Sequence, residues 1–386
     1  MRECLAAPTL ARLAVELSEL EARSQLRTLS EAAGISLASN DYLALAQEVR
    51  LKQALFDALQ SGAAVASTGS RLLSGNHPVW ESLEEEFAQF LGVEAALFFS
   101  SGYAANLGLL SAVARKEDIF FSDQLNHASL IDGIRLSRAR KVIFPHLDLN
   151  FLEDHLRRVA GEPGERFIVV ESVFSMEGDR APLTELAELG QKYGAALVVD
   201  EAHATGVFGP EGKGLVAEAG LGNAVLASIH TCGKALASTG AFIAGSETLK
   251  QYLVNHARTF IFSTAAPPYL AEQIRTALKL VREADHRRAR VLSLAASLRQ
   301  QLRDAGLDCG HSRSQIVPVL LGSNGRALRA AEHLQGAGFD IRAIRPPTVP
   351  PGTARLRISL NAGLSEEICE RVAQVVATAR FLCRGH

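Results

Sequence analysis

Short apolar runs separated by helix-like segments dominate the central part of the chain. The runs are ALFF, IFF, KVIF, FIVV, ALVVD, AVLASI and AFIAG. Between several of them lie segments with apolar residues at helical spacing, such as NLGLLSAVARKE and LTELAELGQKYG. Strands that are apolar almost throughout are buried on both faces, and their alternation with helices is typical of a parallel sheet. We therefore predict an α/β domain over residues 43–278, built on a large, mostly parallel seven-stranded sheet.

The pattern changes on either side of this domain. The N-terminal stretch MRECLAAPTLARLAVELSELEARSQ repeats apolar residues at helical spacing, and residues 1–42 are predicted to form an N-terminal helical segment. After STAAPPYL come a long helical stretch, the strand candidates QIVPVLL and ARLRISL, and a closing helix, SEEICERVAQVVATARFL. Residues 279–386 are therefore predicted to form a smaller α+β domain.

The composition is that of a globular protein. Of the 386 residues, 47% are hydrophobic and 21% charged, and the net charge is −2. This balance predicts no binding to nucleic acid or to an anionic membrane, and the apolar runs are too short to span a bilayer. The acidic residues of the N-terminal stretch are unlike a signal peptide. The five cysteines are scattered without metal-ligand spacing, which predicts reduced thiols, no metal site and a cytoplasmic location.

Side chains able to carry chemistry collect just after the predicted strands. The carboxyl ends of parallel strands lie at one edge of a sheet, where functional groups gather. Asp200 ends one strand and is followed by His203, and Lys234 lies beyond another strand. The other candidates in equivalent positions are Gly102, Tyr103, His127, Glu171, Ser175 and Thr231. The turn at Gly102 leads from a strand into a helix, where free backbone N–H groups can bind a phosphate.

One chemistry uses all of these groups. Pyridoxal 5'-phosphate needs a lysine that binds its aldehyde, a carboxylate at its pyridine nitrogen and donors around its phosphate. Lys234 is the predicted lysine, because burial would remove its charge and make the amine nucleophilic. Asp200 is the predicted carboxylate, and the turn at Gly102 and Tyr103 is part of the predicted phosphate site.

Each of these residues has a commoner explanation when it is taken alone. A lysine in a loop of small residues is usually solvated, a strand-ending aspartate commonly caps a helix, and most histidines are structural. Lys213 is a rival lysine, but its charged, glycine-flanked setting predicts an exposed turn. The coincidence of so many candidates at strand ends favours a single site.

Other classes of α/β protein lack their signatures here. No G-x-G-x-x-G follows a strand, neither CGKA nor EGKG completes a P-loop, and G-x-S-x-G is absent. A nucleotide-binding protein and a simple hydrolase are therefore disfavoured. A catalytically idle binding protein of the same fold is a further alternative, which the combination of Lys234, Asp200 and two histidines disfavours.

A set of short motifs extends from Ser39 to the segment RISLNA. The motifs are SNDYLALA, GSRLLSGNHP, SSGYAAN, NHASLIDG, ESVFSMEGD, DEAHATGVFG, HTCGKALASTGAF, FSTAAPP and AIRPPTVPPGTARLRISL. By these motifs the chain resembles the α-oxoamine synthases, pyridoxal-phosphate enzymes of the aminotransferase-like fold type I. Each motif alone is modestly specific, whereas the whole set in this order is highly specific.

The resemblance implies a role for each matching residue. Lys234 would carry the cofactor and move the substrate Cα proton, Asp200 would pair with the pyridine nitrogen, and His127 would stack on the ring. The other implied cofactor contacts are Gly102, Tyr103, Ser175, His203 and Thr231, together with Ser263 and Thr264, which would reach the phosphate of a neighbouring subunit in a homodimer. The implied substrate contacts are Asn40, His127, Thr348, Arg357 and Arg27, with Arg23 as the alternative to Arg27.

The segment IRPPTVPPGTARLR is most similar to that of the family members that join L-alanine to a pimeloyl thioester in biotin biosynthesis. The implied reaction releases carbon dioxide and a thiol carrier, either coenzyme A or acyl carrier protein, and the sequence does not decide between the two carriers. Members that use glycine or serine share the cofactor site and differ around this segment. Another member of the family, such as a 2-amino-3-oxobutyrate CoA ligase, is therefore the first alternative.

Overall fold

The structure, a computed structural model, describes residues 7–382 and the side chains of residues 8–378. The strands are β1 (Ile35–Ser36), β2 (Ala95–Phe99), β3 (Ile119–Asp123), β4 (Arg140–Phe144), β5 (Arg166–Glu171), β6 (Ala195–Asp200), β7 (Ala227–Thr231), β8 (Ala241–Gly245), β9 (Ile316–Gly322), β10 (Phe339–Asp340), β11 (Ala343–Ile344) and β12 (Ala354–Ser359). The helices are α1 (Ala7–Ala22), α2 (Val49–Gln60), α3 (Pro78–Leu91), α4 (Gly102–Val113), α5 (Ala128–Ser137), α6 (Leu149–Arg158), α7 (Leu183–Tyr193), α8 (Leu215–Glu218), α9 (Glu247–His256), α10 (Arg258–Ile261), α11 (Tyr269–Arg282), α12 (Asp285–Asp304), α13 (Asn324–Gly336) and α14 (Glu366–Leu382). Within this described part, no helix has both the length and the apolar composition needed to cross a bilayer.

All seven strands predicted for the central sheet are present. Their order is β2–β8–β7–β6–β5–β3–β4, and every neighbouring pair is parallel except the two that include β8. The predicted mostly parallel α/β fold is therefore confirmed. β2, β3 and β7 are buried along their whole length, whereas most of the edge strand β4 is exposed. Apolar residues therefore mark strands at the centre and at the edge alike.

One strand begins later than its apolar run. The run AVLASI begins at Ala224, but β7 spans Ala227–Thr231. The amide of Ala224 donates to the carbonyl of Leu221 at 2.8 Å, which closes a turn. Ala224, the first apolar residue of the run, therefore lies in a turn, and β7 includes the polar His230.

A smaller region combines elements from the N-terminal and C-terminal parts of the described chain. The predicted strands QIVPVLL and ARLRISL form β9 and β12, which pair antiparallel, with β11 on the other side of β12. The helical stretch before them is divided into α11 and α12 at residues 283–284. The predicted N-terminal helix is α1, which is followed by Ser24 with a φ of 54°, an angle that does not continue a helix. Further on, β1 pairs in parallel with β10. The domain boundary after residue 278 stays a prediction.

Polar side chains end four neighbouring strands of the central sheet. β3 ends at Asp123, β5 at Glu171, β6 at Asp200 and β7 at Thr231. Glu171 and Asp200 are direct register partners on β5 and β6. Because parallel strands present their carboxyl ends at the same edge, these side chains lie together, at the edge where the sequence predicts the site.

Candidate active site

A cavity of about 250 Å³ opens at the carboxyl edge of the central sheet. Lys234, Asp200, His127 and His203 all line it. The lining also includes Asn40, Gly102, Tyr103, Asn106, Glu171 and Thr231. The fold thus brings together side chains that the sequence places after separate strands.

Lys234 follows β7 and is half-buried. Its Nζ lies 3.3 Å from Oγ1 of Thr231. Burial lowers the pKa of the Lys234 amine below its ordinary value, although the carboxyls of Asp200 and Glu171 oppose this shift. A lowered pKa increases the uncharged fraction of the amine, which is the form that attacks an aldehyde. The setting therefore agrees with the predicted role of Lys234.

Asp200 is only 4% exposed, and two donors hold its carboxylate. Its Oδ2 accepts from Nδ2 of Asn106 at 2.8 Å, and its Oδ1 accepts from the amide of Ala202 at 2.9 Å. Asn106 also donates to Oγ of Ser129 at 2.8 Å, which orients the asparagine. The carboxylate is thereby fixed in one orientation in the wall of the cavity, as a partner for a cationic ring nitrogen would have to be.

The start of α4 forms another wall of the cavity. Oγ of Ser101 accepts from the amide of Ala104 at 3.0 Å and caps this helix. A Cβ added to Gly102 would lie 2.5 Å from Cγ2 of Thr231, so glycine is needed for the helix to begin this close to β7. The first amides of a helix lack intrahelical acceptors and carry a partial positive charge. This wall is therefore suited to a phosphate.

His127 caps α5 and is held by Ser129. Its Nδ1 accepts from the amide of Ser129 at 3.3 Å and lies 2.7 Å from Oγ of the same residue. Burial lowers the pKa of His127, and the charge of Lys234 lowers it further, against the opposing effect of Asp200. The ring is therefore neutral at neutral pH, with its proton on Nε2, because Nδ1 is already an acceptor.

His203 belongs to a buried hydrogen-bonded chain. Its Nδ1 lies 2.6 Å from the hydroxyl oxygen of Tyr42, which also lies 3.0 Å from Oδ1 of Asn40. Burial lowers the pKa of His203 well below its usual range, and the charges of Lys234 and Arg357 add to this effect. His203 is therefore a neutral hydrogen-bonding group.

Arg357 reaches the site from β12. Its Nη1 donates to Oδ1 of Asn40 at 3.0 Å and to Oγ of Ser359 at 2.6 Å. Its Nε donates to the carbonyl of Ser175, and the residue is 7% exposed. Contacts on several sides fix the guanidinium plane, which is what bidentate binding of a carboxylate requires.

A second cavity of about 670 Å³ adjoins the first, and His127 lines both. Ser175 and Thr348 line this second cavity and not the first, together with the apolar residues Leu125, Ile131, Met176, Pro346, Pro347 and Val349. Ser175 is connected to the first cavity through its backbone, since its amide donates to Oε2 of Glu171 at 3.1 Å. The larger cavity is therefore suited to an apolar chain that reaches the first cavity at His127.

Arg27 contacts the rim of the second cavity. Its Nη2 donates to Oγ1 of Thr348 at 3.2 Å. Arg23 instead pairs with Glu19 on α1 at 3.5 Å, where both side chains are exposed. Of the two arginines that the sequence offers, Arg27 is the one that the structure brings to this cavity.

Ser263 and Thr264 lie outside both cavities. They line a small hollow of about 20 Å³, and Thr264 forms a β-bridge with Ser70. Trp80, which is stacked on Phe98 at 4.3 Å, closes the same hollow. The two residues are therefore separate from the site of their own chain. A contact with the phosphate in a neighbouring subunit stays a prediction.

The sequence analysis assigns no role to Tyr42, Asn106 or Glu171, which the structure places at the site. Tyr42 lies inside the motif SNDYL, and Glu171 ends a predicted strand, so both had a local signal. Asn106 ends the motif SSGYAAN, but its contact with Asp200 joins residues 94 positions apart, so the motif alone does not indicate this partner.

A charged cluster beside the cavities joins two loops of the site. Nδ1 of His146 lies 3.0 Å from Asp123, and its Nε2 lies 2.8 Å from Asp179. Asp123 begins the turn that leads to His127, and Asp179 follows the turn that carries Ser175. Burial acts to lower the pKa of His146, but the two carboxylates outweigh it and raise this pKa to about 10. Across the residues described, no three His, Cys, Asp or Glu side chains are arranged to hold a metal ion.

Replacing His146 with glutamine is expected to lower the free energy of unfolding by an amount that shrinks as the pH rises. The pKa of histidine is about 6.5 in an unfolded chain, and here it is raised to about 10. The stabilisation is therefore fully present below about pH 6.5 and is lost as the pH rises through about 10. Denaturant titrations of both proteins between these values measure the difference. A loss that does not vary with pH would contradict a charged His146, and His155→Gln is the control outside the cluster.

Comparison with known proteins decides the family. The family model described as aminotransferase class I and II matches residues 32–376. This chain belongs to that family. Within it, the 8-amino-7-oxononanoate synthase of Aromatoleum aromaticum is 43% identical over 381 residues, which cover 95% of this chain and 97% of that protein.

Solved aminotransferase-family structures have the same fold. Serine palmitoyltransferase of S. paucimobilis, solved with a bound PLP–myriocin aldimine, has a TM-score of 0.89 at 28% identity, covering 99% of both chains. The 8-amino-7-oxononanoate synthase of Francisella tularensis has a TM-score of 0.79 at 29% identity, covering 90% of this chain and 98% of that chain. These comparisons confirm the predicted fold type I architecture, the cofactor pyridoxal phosphate and the resemblance to 8-amino-7-oxononanoate synthase, an acyltransferase of biotin biosynthesis.

The first cavity fits the cofactor of this aminotransferase family. Lys234 supplies an amine with a lowered pKa, Asp200 supplies an oriented carboxylate, and the start of α4 at Gly102 supplies a cradle for an anion. Among the described residues, Oε1 of the buried Glu171 has no hydrogen-bond partner, which leaves a polar atom for a bound group. The role of each individual residue stays a prediction.

Proposed function

We propose that this chain condenses L-alanine with a pimeloyl thioester to give 8-amino-7-oxononanoate, carbon dioxide and the free thiol carrier. One observation carries this proposal: the cavity lined by Lys234, Asp200 and His203 shares His127 in its lining with a larger, mainly apolar cavity. The first suits an amino acid on the cofactor, and the second suits an acyl chain.

Lys234 is proposed to move the proton of the reaction. When bound, pyridoxal phosphate supplies an electron sink for the negative charge that develops at the amino-acid Cα. Nζ of Lys234 takes the Cα proton, because its lowered pKa increases the uncharged fraction of the amine that can accept one. Thr231, 3.3 Å away, positions this nitrogen between proton transfers.

Asp200 and His203 are proposed to hold the cofactor ring from two sides. The carboxylate of Asp200 balances the positive charge of the ring nitrogen, and its own orientation is kept by Asn106 and Ala202. Nδ1 of the neutral His203 accepts from the Tyr42 hydroxyl, so that its Nε2–H can donate to the phenolic oxygen. His127 covers the ring face at the junction of the two cavities.

Arg357 is proposed to bind the alanine carboxylate together with Asn40. The guanidinium is fixed by Asn40, Ser359 and the carbonyl of Ser175, so little conformational entropy is lost when a carboxylate binds. The carboxylate that Arg357 holds is the one that later leaves as carbon dioxide. Arg357 therefore sets the orientation of the Cα substituents relative to Lys234.

The second cavity is proposed to hold the pimeloyl group. Its apolar lining excludes water from the methylene chain, and Thr348 with its partner Arg27 offers polar groups at the rim. Nε2–H of His127 lies at the junction, where it is suited to donate to the thioester oxygen while Cα attacks. The proposal covers both coenzyme A and acyl carrier protein as the carrier of this group.

A homodimer with shared sites is proposed as the working assembly. Ser263 and Thr264 are partly or fully exposed and lie outside their own chain's site, as a contact across subunits would require.

A cytoplasmic location is also proposed, which the free, buried thiols of Cys232, Cys309 and Cys369 support.

A turnover assay with identified products tests the proposed function. Alanine with pimeloyl-CoA, and separately with pimeloyl-acyl carrier protein, is expected to give a product of the mass of 8-amino-7-oxononanoate. Glycine and serine are expected to react more slowly, since one group of this size changes discrimination by about 10- to 200-fold. Faster turnover of glycine, or of serine with a palmitoyl thioester, would instead make the chain another kind of α-oxoamine synthase.

A further inference from the structure

Glu171 is a buried carboxyl group beside the carboxylate that the reaction uses. It ends β5, directly opposite Asp200 on β6, and register partners on parallel strands point to the same face of the sheet. Glu171 is 2% exposed, and it lines the same cavity as Lys234. Two carboxyl groups therefore share one wall of the site.

The two oxygens of Glu171 differ in their contacts. Oε2 accepts from the amide of Ser175 at 3.1 Å. Oε1 is buried and has no hydrogen-bond partner within the described residues. A buried polar atom without a partner is unfavourable, so such an atom at the wall of a cavity indicates a bound group that completes its hydrogen bonding.

The charge state of Glu171 follows from its surroundings. Burial raises the pKa of this carboxyl well above its usual range, and the neighbouring charges of Asp200 and Glu177 raise it further, whereas Lys234 opposes them. Two carboxylates this close do not both ionise readily, and Asp200 already has two donors. Since Oε2 accepts from a backbone amide, the remaining proton is on Oε1, and Glu171 is a donor.

The strand order indicates which part of the cofactor this donor meets. Thr231, Asp200 and Glu171 end the neighbouring strands β7, β6 and β5, in that order. The proposed function places the phosphate near Thr231 and the ring nitrogen at Asp200. In pyridoxal phosphate the phosphate-bearing carbon and the phenolic carbon lie on opposite flanks of the ring nitrogen. Glu171 is therefore on the phenolic flank.

We propose that Glu171 is a further cofactor-binding residue, a neutral carboxylic acid whose Oε1–H donates a hydrogen bond to the phenolic oxygen of bound pyridoxal phosphate. This inference rests on the orientation of the cofactor in the proposed function. It adds a second donor beside His203 and stabilises negative charge on that oxygen. It also explains why a carboxyl group, rather than a charged carboxylate, lies next to Asp200.

Two replacements of Glu171 separate a neutral donor from an ionised acid. Glu171→Gln keeps a neutral donor of the same shape, whereas Glu171→Leu keeps the approximate volume and removes the donor. We expect Glu171→Leu to weaken pyridoxal phosphate binding to the apoenzyme by about 10- to 100-fold, the usual effect of one hydrogen bond to a charged group. We expect Glu171→Gln to bind it within about threefold of the wild type. Titration of the apoenzyme followed by fluorescence measures both constants without any substrate.

Infrared spectra of the apoenzyme test the protonation directly and stay informative if the leucine variant does not fold. A band of a protonated carboxylic acid is expected at neutral pH in the wild type and is expected to be absent in Glu171→Gln. Glu201→Gln is the matched control. Burial raises the pKa of Glu201 to about 7, so the carboxylic acid band that this variant lacks must weaken in the wild type as the pH rises through about 7.

Three results would overturn the proposal. These are the absence of a Glu171 carboxylic acid band, equal weakening in Glu171→Gln and Glu171→Leu, and unchanged cofactor binding in Glu171→Leu. Neither measurement depends on the amino acid or the acyl thioester. A wrong substrate assignment therefore leaves both readouts intact, and a failure here leaves the turnover assay intact.

Discussion

Replacing Lys234 with alanine is expected to abolish turnover and the visible absorption of the lysine-bound cofactor together. Alanine has no amine to bond to the cofactor aldehyde and no base to take the Cα proton. Proton transfer by a positioned side chain alone contributes about 10²- to 10⁴-fold to a rate, so the loss is expected to reach at least this range. Absorption spectra and the product assay on the same preparation measure the two effects.

The rival lysine provides the control for this experiment. Lys213 is partly exposed and lies 3.8 Å from Glu211, in the turn before α8. Lys213→Ala is expected to keep both the absorption and the turnover. Lys234→Arg keeps a positive charge but cannot form the bond, so it is expected to behave like Lys234→Ala. Turnover that survives Lys234→Ala would refute the assignment of this lysine.

Replacing Asp200 with asparagine is expected to leave the cofactor bound and to slow the exchange of the alanine Cα proton by at least about 100-fold. The amide can still accept from Asn106, so the cavity keeps its shape. It cannot balance a positive charge at the ring nitrogen, and the loss of one preorganised electrostatic group typically costs about 10²- to 10³-fold. Exchange in heavy water without acyl donor, followed by proton NMR, isolates this step.

The neighbouring acid provides the control for Asp200. Glu201 is fully buried, and its carboxylate accepts from the amides of Leu215 and Val216 at 2.7 and 3.1 Å. Glu201→Gln therefore removes a buried carboxyl one residue away that faces α8. It is expected to lower the stability and to leave the exchange rate close to that of the wild type. Undiminished exchange in Asp200→Asn would contradict the pairing with the ring nitrogen.

Most strands of the central sheet were predictable because they are buried. A strand covered on both faces must be apolar almost throughout, so it is visible as a run of apolar residues, whereas β4 is mostly exposed and its run KVIF begins with a lysine. The boundaries were less accessible. The first residue of AVLASI forms a turn with Leu221, and the helical stretch after STAAPPYL is interrupted at residues 283–284. Both boundaries depend on how the neighbouring elements pack, and the local sequence pattern does not show this packing.

The candidate site was predictable in part for a similar reason. Parallel strands bring their carboxyl ends to one edge, so polar residues after successive apolar runs identified Asp200, His203 and Lys234. Ser175 was predicted at the cofactor, whereas the structure connects its side chain to the second cavity and only its backbone to the first. The direction of a loop side chain is set by the contacts of the loop, so it cannot be predicted from the positions of the strands alone.

The sequence by itself determined the fold class, the edge of the sheet that carries the site and the cofactor, because burial and strand ends leave local patterns. Only the tertiary structure decided which side chains meet. Asn106 orients Asp200 from 94 positions away, and Arg357 binds Asn40 from 317 positions away. It also raises the pKa values of Glu171 and His146, since desolvation and neighbouring charges act through distances in space and not along the chain.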